Sequence, residues 1–248
     1  MNIVADLHTH TIASGHALST LHEMAQKAHS LGHRAIAITD HGTSMPGGPH
    51  KWYFNNLLMQ PDLIEDGFLL LKGIEANVMD VNGRLDVRGE DLKWFGWVIA
   101  SLHKSCIAPP GYEATTELWL RIAETPGIDM IGHAETEEFL FDYDRVTRAF
   151  AKNGKVVELN ASSRTSRPGN EENLRCLAKC CMQNGTQVAV TSDAHSLYDL
   201  GNYGHIFALL EELRFPEEQV VNASTARLLA TLQAHGRKVA ERVQGKWP

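Results

Sequence analysis

Short apolar runs alternate with longer amphipathic ones along most of the chain. Residues 34–39 (RAIAIT), 68–74 (FLLLKGI), 97–102 (WVIASL), 128–132 (IDMIG), 155–160 and 187–191 read as strands, and a first strand leads into Asp6-Leu7-His8-Thr9-His10. Between them the apolar positions recur at helical spacing. Residues 19–31 place Leu21, Met24, Ala25 and Ala28 on one face with Gly32 as a stop, and 52–59, 113–124, 143–152 and 171–183 follow suit. Two more helices, over 205–214 and 225–234, follow the last strand. Strand-helix alternation of this kind predicts a parallel sheet covered by helices. Seven such units stand one short of the usual eight-stranded barrel, with an open doubly wound sheet as the alternative.

Three segments interrupt the rhythm. Pro46-Gly47-Gly48-Pro49 can continue neither regular structure and predicts a loop. Residues 78–87 carry Asn82-Gly83 between alternating side chains, the signature of a tight β-hairpin. Residues 162–169 (SSRTSRPG) predict a polar loop after the sixth strand.

Composition narrows the picture. No linker or charge block divides the 248 residues, so one domain is expected over 1–248, with the helices from about residue 204 packed on the barrel. A net charge of −7 argues against a protein that coats a nucleic-acid backbone. No apolar run is long enough to span a bilayer and no signal pattern is present, so a cytoplasmic protein is expected. Cys106, Cys176, Cys180 and Cys181 lack the spacing of a disulfide framework or a zinc knuckle and read as reduced packing residues.

The chain holds 13 histidines, and many of them follow strands. In an extended segment His8 and His10 project to one side about 7 Å apart, close enough to grip one ion. His41, Glu75, His103, His133, Asp193 and His195 each come just after a predicted strand, and His16 lies in the loop after the first. In a parallel barrel those strand ends share one rim. Any one of these histidines reads equally well as a buried residue satisfied by a carbonyl. Nine candidate ligands at one end of the fold do not. His22, His29, His33, His205 and His235 fall in or beside helices and read as surface or capping residues, and His50 as an exposed loop residue.

The segments Asp6-Leu7-His8-Thr9-His10, Thr39-Asp40-His41-Gly42, Gly73-Ile74-Glu75 and Ser192-Asp193-Ala194-His195 together resemble the polymerase and histidinol phosphatase (PHP) family. The chain length and C-terminal helices are similar to the short bacterial YcdX-type phosphatases of that family. The resemblance implies an α/β fold, a distorted, TIM-barrel-like (β/α)7 barrel. It also implies three divalent metal ions, usually zinc, sometimes manganese or iron. By the resemblance, His8, His10, Glu75 and Asp193 hold the first ion, and a bridging Glu75 with His103 and His133 holds the second. His16, His41 and His195 hold the third. One departure concerns His133-Ala134-Glu135, where relatives often have His-Pro-Gly, and it bears on local loop shape. The resemblance is also compatible with a homotrimer.

Nitrogen and oxygen ligands without thiolate suit catalytic zinc, manganese or iron. Three divalent ions among seven neutral imidazoles and two carboxylates would leave roughly +4, a field that favours phosphate. The expected activity is therefore hydrolysis of a small phosphomonoester by metal-bound hydroxide, with no side-chain nucleophile. Arg167, before Arg164, is the candidate phosphate clamp. Asp6 and Asp40 are candidate acceptors that fix imidazole tautomers. A nuclease of the same family is the first alternative, for which Trp52-Tyr53-Phe54 would have to stack bases. A non-catalytic metal-binding protein is the second.

Overall fold

Odd-numbered and even-numbered side chains of the early strands part to opposite sides, and this separation builds two apolar layers. In the computed structural model, which describes residues 1–167 and 169–247, seven parallel strands pair in chain order. They are β1 (Ala5–Asp6), β2 (Ala35–Ile38), β3 (Leu69–Asn77), β4 (Trp97–Ser101), β5 (Met130–Ile131), β6 (Val156–Asn160) and β7 (Val188–Thr191). Ala35, Ala37, Leu69, Leu71, Trp97 and Ile99 point into the barrel. Ile36, Ile38, Leu70, Val98 and Ala100 point outward against the helices. Continuing the inward parity of β3 past Leu71 gives Gly73 and then Glu75. A Cβ on Gly73 would lie 2.7 Å from the Trp97 carbonyl oxygen and from Thr39 Cγ2, so only glycine lets the strands approach here.

The covering helices are α1 (Leu21–Ser30), α2 (Lys51–Leu58), α3 (Tyr112–Glu124), α4 (Tyr143–Lys152), the short α5 (Ser163–Ser166), α6 (Glu171–Asn184), α7 (Gly204–Leu213), α8 (Thr225–Ala234) and α9 (Lys238–Val243). Local chemistry sets their starts. Thr20 and Glu23 form a reciprocal capping box at α1. The His50 side chain accepts from Trp52 N at the start of α2, so this histidine is a cap. No helix among the described residues is long and apolar enough to cross a membrane.

Two predicted elements differ and one helix is added. The hairpin over 78–87 shrinks to a single bridge between Val78 and Leu85. The Asp80 carboxylate accepts from Asn82 N and Arg84 N there, so a side chain takes the place of ladder partners. The loop over 162–169 contains the helical turn α5, because Thr165 and Ser166 hydroxyls bond back to the Ser162 carbonyl. Its Pro168 lies outside the described residues. A further helix, α9, follows α8.

The barrel closes without an eighth strand. Asn222 stands between β1 and β7, donating from Nδ2 to Ala5 O (2.8 Å) and Val190 O (2.6 Å) and accepting from Val190 N (3.1 Å). Its own carbonyl accepts from Val4 N at 2.9 Å. A single amide side chain thus does what a strand's backbone would do. Replacing Asn222 with leucine strands buried peptide groups, and each unsatisfied group costs about 1–3 kcal/mol. Asn222→Leu is therefore expected to lower unfolding stability by at least about 3 kcal/mol. A urea midpoint within error of wild type, at equal slope, would contradict this.

At the opposite end from the site, α8 and α9 plug the barrel with Leu228, Leu232, Val239 and Val243. Beneath them Arg237 is buried against Asp129, with Nε 2.8 Å from Oδ1, and it also donates to the carbonyls of Leu92, Phe95 and Gly127. His235 adds bonds to Asp129 Oδ1 (2.8 Å) and Gly154 O (2.7 Å).

Candidate metal centre

The strands end on one rim, and the polar side chains gathered there line a cleft of about 810 Å³. Glu75 occupies its floor. Because Glu75 lies inside β3 rather than after it, its carboxylate points into the barrel mouth instead of out over the rim. Five imidazoles surround it. Oε1 lies 3.0 Å from His133 Nε2, 3.4 Å from His103 Nε2 and 3.5 Å from His8 Nε2. Oε2 lies 2.6 Å from His41 Nδ1 and 3.5 Å from His10 Nε2. Asp193 Oδ1 adds contacts of 3.2 Å to His10 and 3.5 Å to His8. His195 and His16 sit at the outer edge with their Nε2 atoms 2.9 Å apart. All nine residues singled out in the sequence thus belong to one contiguous cluster.

Tight triads of ligand atoms, each within 4.8 Å of one another, are His8/His10/Glu75, His10/His41/His195 and His41/Glu75/His103. They cut across the partition that the family resemblance implies, since His41 leans on Glu75 and His103 as well as facing His195. The donor chemistry fits cations. Nε2 faces Nε2 at 3.1 Å in His8/His10 and in His103/His133. His41 Nδ1 and Glu75 Oε2 are buried without a hydrogen-bond partner despite their proximity. Lone pairs converging on a small volume are what a divalent ion satisfies.

Electrostatics prepares the same states. Burial opposes ionisation of Glu75, but the imidazoles of His41, His8 and His103 outweigh it and hold its carboxyl well below the usual range. Asp193 is likewise held well below it, with His8 and His10 overcoming burial. Burial first, then His41, keeps His10 well below the ordinary histidine value. Burial and the Arg167 guanidinium lower His133 to about 4. His10 and His133 are thus neutral beside ionised carboxylates, as ligation requires. At His8, burial is outweighed by the carboxylates of Glu158, Asp193 and Glu75, which raise the pKa well above the ordinary histidine value, so a cation there would displace its proton.

Backbone strain concentrates here too. His133 (φ 29°) and Asp193 (φ 51°) are non-glycine residues in left-handed conformations. Such positions persist where neighbours over-determine them. His133 N donates to Glu158 Oε2 at 2.5 Å, and Asn160 Nδ2 donates to Asp193 Oδ2 at 3.1 Å.

Residues that the sequence reading missed orient the imidazoles. Glu158 is fully buried, bonded to His8 Nδ1 at 2.6 Å and to Thr191 Oγ1 at 2.6 Å. Its inward parity with Val156, amid the apolar Val156, Val157 and Leu159, is the signal that could have found it. Asn77 Oδ1 accepts from His103 Nδ1 at 2.8 Å. Ser14 Oγ lies 3.0 Å from His10 Nδ1 and donates to Asp40 at 2.6 Å, so Asp40 acts on His10 through a hydroxyl. Asp6 touches no ligand ring. It accepts from the backbone N of His8 and from Ser192, tying β1 to the end of β7. Tyr203 also donates to Asp6 and is bonded to His33, which is buried rather than at the surface.

Partners of this kind set imidazole tautomer and basicity. Glu158→Gln keeps the shape but weakens the pull on His8 Nδ1–H. It is expected to weaken metal affinity about 10–100-fold. Isothermal titration with zinc checks this, and an unchanged dissociation constant would refute the orienting role.

The PHP domain profile matches residues 6–162 of this chain. The chain belongs to the PHP family. The PHP match covers His8 to His133 and Glu158, while Asp193 and His195 join from β7 beyond it. A protein of Acetivibrio thermocellus named probable phosphatase is 41% identical over 227 residues, spanning 92% of this chain and 94% of its own. One from Caldanaerobacter subterraneus subsp. tengcongensis, also named probable phosphatase, is 43% identical over 241 residues, spanning 96% and 94%. The histidinol phosphate phosphatase of Lactococcus lactis, solved with zinc, L-histidinol and phosphate, shares the fold. Its TM-score is 0.57 at 15% identity, over 86% of this chain and 94% of that one.

Proposed function

We propose that this PHP chain is a metal-dependent phosphatase acting on a small phosphomonoester. The observation that carries the reading is Glu75, a buried carboxylate ringed by five imidazoles on the floor of an open cleft. His8, His10, His16, His41, Glu75, His103, His133, Asp193 and His195 would hold three divalent ions. Zinc is the first choice and manganese or iron the alternatives, since the donors are nitrogen and oxygen throughout. Such ions would lower the pKa of water towards about 7 and neutralise charge on phosphoryl oxygens.

The protein's own groups do the rest. Glu158, Asn77 and the Ser14–Asp40 pair hold His8, His103 and His10 in single orientations. Arg167 lies on the cleft wall with Nη2 3.7 Å from Asp193 Oδ2, leaving donors of its fork for a phosphate oxygen. The guanidinium is steadied from Nη1, which donates to Ser166 Oγ at 3.2 Å. Glu135, where relatives often have glycine, is fully buried and accepts from Ser163 Oγ, so the loop after β5 anchors the turn that carries Arg167. Burial pushes its carboxyl up to about 7.

The nuclease alternative needs aromatic platforms. Tyr53 donates its hydroxyl to Asp40 and Phe54 packs on Phe95 with ring centroids 5.7 Å apart, so both face inward and only Trp52 is exposed. Metal-loaded protein should therefore hydrolyse p-nitrophenyl phosphate at least about tenfold faster than its bis-ester, and leave a single-stranded oligonucleotide intact. Preference for the diester would transfer the assignment to the nuclease reading.

A further inference from the structure

The cleft runs on past the ligand cluster. Its volume, about 810 Å³, is that of a site enclosing a whole small molecule and not a phosphate group alone. The wall away from the ligands comes from α5 and from the approach to α7, and it presents Arg164, Thr165, Asp199, Asn202 and His205. Among the described residues its lining contains no phenylalanine, tyrosine or tryptophan. Its apolar residues are Met45 and Ala161, and the other lining side chains each carry a polar group.

The donors and acceptors on this wall are mixed. Arg164 only donates, Asp199 only accepts, and Asn202 and Thr165 do both. His205 Nε2 is buried without a hydrogen-bond partner, so the ring backs the wall instead of presenting that nitrogen to the cleft. A hydroxyl also donates and accepts, so neighbouring hydroxyls can satisfy such a wall completely. A flat aromatic group would shield these atoms from water and leave them unpaired, the situation against which hydrogen-bonding sites discriminate most strongly. A second anion would meet Asp199. The wall is also held in place, because Ser163 of α5 is bonded to the buried Glu135.

We propose that Arg164, Asp199 and Asn202 bind the organic part of the substrate and that this part is polyhydroxylated and non-aromatic, making the substrate a sugar or polyol monophosphate. This rests on the phosphatase reading. The test measures kcat/KM of the zinc-loaded full chain on a hexose phosphate, a hexitol phosphate, an amino-alcohol phosphate, phenyl phosphate and a nucleoside 5′-monophosphate. One of the first two should exceed each of the others at least about tenfold. In Asn202→Ala and Arg164→Met that preference over phenyl phosphate should fall at least about fivefold, through KM, with zinc content per chain unchanged. Phenyl phosphate, nucleotide or amino-alcohol phosphate equalling the hydroxylated substrates would overturn the inference, as would an undiminished preference in both variants. Hydrolysis of every ester without rank sinks this inference alone, whereas hydrolysis of none sinks the phosphatase reading beneath it.

Discussion

Replacing Glu75 with alanine should remove bound metal and activity together. Removing an outer partner of a metal-ligating histidine typically costs 10–100-fold in affinity or rate. Glu75 lies within 3.5 Å of five candidate ligand imidazoles and belongs to two of the three tight triads, so its loss should exceed that range. A fall of more than about a hundredfold in phosphomonoester turnover is expected, with less than wild-type zinc by elemental analysis. Glu75→Gln should sit between the two, because it keeps one oxygen donor and loses the charge that holds the imidazoles inward. Wild-type zinc stoichiometry in Glu75→Ala would remove the carboxylate from the centre of the site. Because the imidazoles outweigh the burial that opposes its charge, the Glu75 carboxylate also stabilises the fold at neutral pH, so circular dichroism of Glu75→Ala is read beside its zinc content.

The second large effect lies at the other end of the barrel. Asp129→Ala leaves the Arg237 guanidinium buried with three carbonyls and no counter-charge. Breaking one side of a buried ion pair costs about 3–5 kcal/mol. For a chain of this size a lowering of Tm by about 10 °C is expected. Zinc content in the folded variant should not change, because Asp129 precedes β5 at the plugged end while the candidate ligands lie at the opposite ends of the strands. Thermal unfolding followed by circular dichroism reads the effect, and a shift below about 2 °C would show that the carbonyls alone satisfy Arg237. The pH dependence has a definite sign. Burial opposes ionisation of Asp129, but Arg237 and His235 outweigh it and depress its pKa. Its stabilising contribution is therefore complete above the unfolded value of about 3.9 and is lost as pH falls through the lower folded value. Asp129→Ala should flatten that acid limb.

Much of this arrangement is legible in the residues. His8, His10, His41, Glu75, Asp193 and His195 stand at or next to the ends of apolar runs, and a parallel strand-helix rhythm brings such ends to one rim. The resemblance to the PHP family added an expected grouping of the ligands, which the triads His10/His41/His195 and His41/Glu75/His103 cross. Spans of the long periodic helices were also readable: α4 and α8 begin and end where the apolar spacing does. The hairpin over 78–87 is present only in shortened form, with Val78 facing Leu85 and Met79 N bonded to Arg84 O, because Asp80 binds turn amides that a longer ladder would have used. His33 was misread because its partners, Tyr203 and then Asp6, are brought beside it only by folding.

The sequence by itself determined the number of strand-helix units and the placing of the candidate ligands at or near the strand ends. These are local properties, written in a period of two or of 3.6 residues. Only the tertiary structure decided that Asn222 closes the barrel between β1 and β7, that Glu158 orients His8 from 150 positions away, and that Arg237 caps Asp129 beneath the plug. Each of those pairings depends on strand register and on how far a side chain reaches across the closed sheet. No periodicity along the chain encodes either distance.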